Sequence, residues 1–247
     1  MRNDKKLLPI TGARKIYVET FAEAAAGTGG RGGGRGRGAF GPQGDVARAA
    51  QGEAAAGGRG TGQTEGGRGR GQGRGGGGGA RNSATQTNAL KTLLAKDPSV
   101  QVVDSLEQAD VALVWLRPSV NQRPENDYAD IALSKLTGID VDKVKQIEAA
   151  KPTVLVINMI NPWVINEVEP GAAAVLATFD IKAEALLDVV RGRFNPAGKL
   201  PITVPANQAA VDRNAPDVPG YAEAFDYAYK NSAKDKYVFG FGLSYGK

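Results

Sequence analysis

The sequence predicts an α/β fold: a doubly wound, mostly parallel sheet of about five or six strands, an α/β sandwich, carrying a disordered Gly/Arg-rich insertion. Three observations support this. From residue 82 onward, short apolar runs at 111–116 and 153–157 alternate with amphipathic helical stretches, the rhythm of βα steps rather than of hairpins. A β-branched and aromatic run at 15–18 supplies a further strand near the start. Between them, residues 27–81 hold 25 of the 34 glycines, a composition with a large ordering entropy and almost no apolar surface to offset it.

The elements follow in order. Lys15-Ile16-Tyr17-Val18 is bounded by Thr11-Gly12 and leads to an Ala-rich stretch that stops at Gly27. After the insertion, Ala89, Leu93 and Leu94 mark one face of a helix, and 101–103 the next strand. A short helical turn around Leu106 and Glu107 precedes the run 111–116. Asp140 stands at an N-cap position, with Val141, Val144 and Ile147 on one face of a helix over 140–150. The run 153–157 reads as a strand buried on both faces. Pro162 suits the first turn of a short helix, 173–179 reads as a strand, and 183–190 as a helix ending before Gly192. Asn195-Pro196 and Gly198 break the helical pattern, and alternating Ile202 and Val204 predict a short strand. The chain thus divides into an entry segment with the first strand (1–26), the insertion (27–81) and the main body (82–247).

Charge and composition narrow the chemistry. The insertion carries nine arginines, no lysine and only Asp45, Glu53 and Glu65 as acids, while the rest is near balance at 22 basic against 23 acidic residues. The basic net charge therefore belongs to the insertion and says nothing of the folded part. Outside it, roughly 190 residues suffice for one sizeable α/β domain and not for two. With no cysteine and no histidine, disulfides, thiol nucleophiles, Ser-His-Asp relays and His- or Cys-ligated zinc are excluded. Carboxylates, Lys, Tyr and Arg are left to act, and neither a cofactor nor a metal is expected. The first apolar run stops at Pro9, short of a signal-peptide core. The longest apolar runs fall well below the roughly 20 residues that cross a bilayer, so no membrane contact is expected.

Two motifs near the C-terminus say more. Residues 194–205 read FNPAGKLPITVP and residues 237–247 read YVFGFGLSYGK. As an ordered pair they resemble the closing motifs of the second, α/β sandwich domain of family 3 glycoside hydrolases, the β-glucosidase and β-xylosidase group. There an NPxGKLP turn precedes a terminal FGxGLSY. RNDKKLLPI, at 2–10, resembles the stretch where that family's chain leaves its first domain, a barrel. The similarity runs to about residue 20 and resumes near 84. It implies hydrolysis of O-glycosidic bonds, a β-linked glycoside as substrate, and a separately encoded barrel domain as partner. The sequence then opens past the barrel, and the chain alone is expected to be inactive.

Ligands of open α/β sheets gather at the carboxyl ends of strands, which points to the loops after Leu116, Ile157 and Phe179. The first, within WLRPSVNQRPENDYADIALSKLTG at 115–138, is long for a βα connection and holds Arg117, Arg123, Glu125, Asp127, Tyr128 and Asp130. In the resembled family the proton-donating carboxylate comes from a loop at this position. Arg123-Pro124-Glu125 is similar to a subfamily pattern in which a Pro-Arg pair precedes an acid. Asp127 matches the Asp of the commoner GEGxDR form if one residue is missing, with Tyr128 in place of its Arg. The resemblance therefore implies Glu125, and after it Asp127, as the catalytic acid/base. A retaining glycosidase pairs such an acid with a nucleophilic carboxylate about 5–5.5 Å away, and the family's nucleophile is an Asp of the barrel. Arg117 and Arg123 are candidate substrate-binding residues, together with Asn158 and Trp163 of the second loop, which offer an amide and an aromatic face. Asp180 in the third loop is expected only to cap the following helix, and Lys199 to sit in a surface turn.

A second reading makes the chain a non-catalytic carbohydrate- or polyanion-binding module with an RGG-like tract. Arg supplies phosphate contacts and stacks on bases, but the tract's only aromatic residue is Phe40, so nucleic acid is not an expected partner.

Overall fold

A computed structural model describes residues 2–22, 83–119, 130–135, 137–213 and 227–245, and the expected insertion lies outside them. Five strands, β1 (Arg14–Ala22), β2 (Val100–Val103), β3 (Val111–Arg117), β4 (Thr153–Asn158) and β5 (Ala174–Thr178), form one sheet in the order β2-β1-β3-β4-β5. All four pairings are parallel. The helices are α1 (Ser83–Leu94), α2 (Val141–Ala150), α3 (Ala183–Val190) and α4 (Gln208–Asp212).

The pleat sends successive side chains to opposite faces, so the continuous apolar runs make two cores. Leu113 and Trp115 of β3 join Ile16 and Val18 of β1 and Val156 of β4 against Leu90 of α1 and Leu186 of α3. Val114 and Leu116 face the other way, with Leu155 and Ile157, against Val144 and Ile147 of α2 and the C-terminal residues Leu200 and Tyr237. Helices on both faces make the sheet doubly wound, as expected.

Local signals explain several boundaries. The Asp140 carboxylate accepts from the Lys143 N–H at 2.9 Å, capping α2. Gly192, with φ +72°, takes the left-handed conformation that ends α3. The two C-terminal motifs form one hydrogen-bonded unit. Leu200 N–H donates to Phe241 O and Gly240 N–H to Leu200 O, both at 2.8 Å. A Cβ at Gly242 would lie 2.4 Å from Gly198 O, so the second motif needs glycine where it crosses the first.

Two expectations are corrected. No helix begins at Pro162: Trp163 N–H bonds Asn161 O and Val164 N–H bonds Ile131 O, which draws this segment against residues 131–132, and the next helical turn is the 3-10 turn Glu169–Gly171. No strand forms over 202–204. Pro201 and Pro205 bracket it without backbone donors, and Val204 exchanges single bonds with Tyr237 and Tyr229.

Candidate functional site

The strand order reverses between β1 and β3, and at such a switch point the loops leaving adjacent strands diverge and open a crevice. The connection from β1 departs after Ala22 and the long loop from β3 after Arg117, so the carboxyl ends of these strands are where a site is expected on topology. Glu125, Asp127 and Arg123 lie in that loop, outside the described residues. Arg117, Asn158 and Trp163 are described.

Arg117 is the last residue of β3. Its guanidinium carbon lies 5.0 Å from the centroid of the Trp115 ring, and its Nη2 is 3.5 Å from Asp180 Oδ1. Asn158 ends β4 and is buried. Its Nδ2 donates to Asp180 Oδ1 at 2.8 Å, and its Oδ1 accepts from Asp180 N–H at 2.8 Å. This two-point clamp holds Asp180 at φ +50°, a conformation Asp tolerates better than most residues. Asp180 therefore caps nothing: the N-cap of α3 is Lys182, which makes no side-chain cap bond, and the Asp180 carboxylate turns to Asn158 and Arg117. Trp163 is fully buried and donates its Nε1–H to Asn158 O at 3.0 Å. Of the two described candidates in the second loop, Asn158 thus braces Asp180 and Trp163 braces Asn158, and Trp163 has no exposed face for a sugar. Arg117 remains partly open to solvent.

Beneath Arg117, Trp115 and Thr20 are register partners across β1 and β3. Among the described residues, Trp115 Nε1 and Thr20 Oγ1 are both buried without a hydrogen-bond partner. Ile160 and Phe179, each next to or near this cluster in sequence, are large apolar residues left exposed.

At the other end of the sheet lies a buried charge cluster. Arg2 Nε is 3.3 Å from Glu169 Oε1, and Arg2 Nη2 donates to Glu169 O at 2.8 Å. Tyr229 and Tyr237 donate to the two Glu169 carboxylate oxygens at 2.7 and 2.9 Å. Burial and the Glu169 carboxylate both hold these phenols above their usual range. Glu148 packs on Gly171, its Oε1 buried without a partner. Burial pushes its carboxyl up to about 8 and nearby Glu169 adds to this, while Arg2, Lys145 and Lys5 oppose it. Sequence reading missed this cluster; the available signal was an acid, Glu169, shortly before the apolar run 172–177.

The family model for the glycosyl hydrolase family 3 C-terminal domain matches residues 1–245. "Probable beta-glucosidase C" of Aspergillus flavus is 37% identical over 146 residues, 58% of this chain and 22% of that protein. "Beta-glucosidase cel3A" of Pyricularia oryzae is 30% identical over 181 residues, 67% of this chain and 25% of that protein. The chain thus spans about a fifth to a quarter of the length of these two curated relatives. A crystal structure of beta-glucosidase from Listeria innocua in complex with glucose aligns over all of this chain and 32% of that one, with a TM-score of 0.54 at 16% identity. At that identity the likeness shows a shared fold.

Proposed function

Since the chain belongs to the glycosyl hydrolase family 3 C-terminal domain family, we propose that it supplies the proton-donating half of a β-glycosidase site. The observation that carries this reading is the family match over residues 1–245, together with β-glucosidases among the relatives. The loop after β3 leaves the sheet at its switch point, where open α/β sheets bind their ligands and a loop carboxylate could meet a sugar held by a second domain. In this reading Glu125, or failing it Asp127, protonates the leaving oxygen. The nucleophile comes from a barrel partner, and the sugar is a β-linked glycoside. Arg117 stands at the root of that loop and contacts the bound substrate.

The chemistry assigns the chain half a mechanism. One carboxylic acid can assist departure of an aglycone, but formation of a glycosyl-enzyme intermediate needs a second carboxylate on the opposite side of the anomeric carbon. Two preparations test this: the purified 247-residue chain, and a chimera in which it replaces the matched segment of the A. flavus relative. The chain alone should leave an aryl β-glucoside intact, and the chimera should hydrolyse it. Turnover by the purified chain would require a carboxylate pair within it and would overturn the reading, as would a folded chimera without turnover.

A further inference from the structure

Arg117 and Asp180 present a donor and an acceptor side by side. We infer that this pair, braced by Asn158, is a recognition point for a neutral polyhydroxylated ligand, a pyranose bearing vicinal hydroxyls, distinct from the proton-donating loop. The inference rests on reading this end of the sheet as sugar-facing, and it assigns that role to residues other than the acid/base candidates.

The chemistry of the pair matches that of such a ligand. The Asp180 side chain is 66% exposed and that of Arg117 28% exposed. Among the described residues, both side-chain contacts to Asp180 fall on Oδ1, and Oδ2 is an open acceptor. Arg117 spends Nη2 on Asp180 and one ring face on Trp115, which leaves further N–H donors of its fork. A simple anion would meet the Asp180 carboxylate, and a simple cation the Arg117 guanidinium, so neither suits the pair. A vicinal diol gives one hydroxyl proton to the carboxylate and accepts one N–H, and it carries no charge to be repelled.

Two neighbouring side chains fit the same ligand. Ile160 is 47% and Phe179 41% exposed, offering apolar surface to the C–H face of a pyranose. Asn158 acts through Asp180 and is a positioning residue: its two bonds fix the carboxylate before ligand arrives, which lowers the ordering cost of binding.

Saturation-transfer NMR on the 247-residue chain with methyl β-glucoside and cellobiose tests the inference. Wild-type chain should transfer saturation to the sugar. Asp180→Ala and Arg117→Met should each weaken apparent affinity about tenfold, the loss expected for a hydrogen bond to a charged group, with melting temperature unchanged. The conservative Asp180→Asn should recover part of the signal, and Lys199→Ala should match wild type. Absence of transfer from either sugar, or equal signals in wild type and both charge-removing variants, would overturn it. Binding in this assay does not depend on turnover. An inactive chimera with intact sugar binding strikes the proposed function alone, and an active chimera with no binding by the chain strikes this site alone.

Discussion

At the amino end of the sheet, Arg2 and Glu169 are 3% and 0% exposed and sit among two tyrosine hydroxyls. At the carboxyl end, Arg117 and Asp180 make the same type of ion pair with the Asp180 side chain 66% exposed. The chemistry of the two pairs is alike and their energetics are opposite. A buried pair holds its place because losing one partner strands the other charge in a low dielectric. An exposed pair contributes little to stability and is free to exchange its partner for ligand. The buried pair also joins distant parts of the chain, since residue 2 and residues 229 and 237 meet at Glu169. The exposed pair joins the end of β3 to the segment that follows β5, two positions away in the sheet.

Substitutions should separate the two ends by size of effect. The largest is expected at the buried end. Glu169→Ala leaves two buried phenols without their acceptor and takes from buried Arg2 the carboxylate 3.3 Å away, and urea unfolding should show a loss of roughly 3–5 kcal/mol. A loss below 1 kcal/mol would remove the contrast between the ends.

The next effect is a pH dependence. Glu148 is raised from 4.5 to about 8 in the fold, so the native state binds this proton more tightly than the unfolded chain does. Its contribution to stability is complete below about 4.5 and is lost as pH rises through about 8. After allowance for partial solvent screening, this amounts to roughly 1–3 kcal/mol across that window. Glu148→Gln should flatten the alkaline limb of a plot of unfolding free energy against pH; an unchanged limb would place the titration elsewhere.

Asn158→Ala removes both points of the clamp on Asp180 from a buried position and should cost about 1–2 kcal/mol. It should also reduce sugar binding as strongly as Asp180→Ala does. Smallest of all, Asp180→Ala should change stability by less than about 0.5 kcal/mol. A larger loss on thermal unfolding would make the carboxyl-end pair a structural element like the one at the amino end.

The sheet was legible because its causes are local. Runs such as Val154, Leu155, Val156 and Ile157 must be buried on both faces, and Asp140 caps α2 by accepting from the N–H of Lys143, three residues on. The segment after Pro162 was misread for a tertiary reason. A proline at a helix start is a local preference, whereas Trp163 seeks a buried acceptor at Asn158 O and Val164 a partner at Ile131. The same holds for Asp180, whose cap position was visible in sequence while its partners lay 22 residues back and at the end of another strand. The Glu169 cluster spans separations of 60 residues or more, beyond any periodicity. The family motifs succeeded where propensity did not, because NPAGKLP and FGFGLSY are two halves of one hydrogen-bonded unit.

The central claim is that the loop after β3 donates a proton to a leaving group. In the chimera with the A. flavus relative, Glu125→Gln should be compared with wild type on two glucosides, one with an alkoxide leaving group and one with an acidic nitrophenol. General-acid catalysis matters where the leaving oxygen needs a proton. The account predicts a loss of roughly 10²–10⁴-fold in kcat/KM on the alkyl glucoside and a much smaller one on the nitrophenyl glucoside. Equal losses on both substrates, or none on either, with Asp127→Asn behaving likewise, would contradict it.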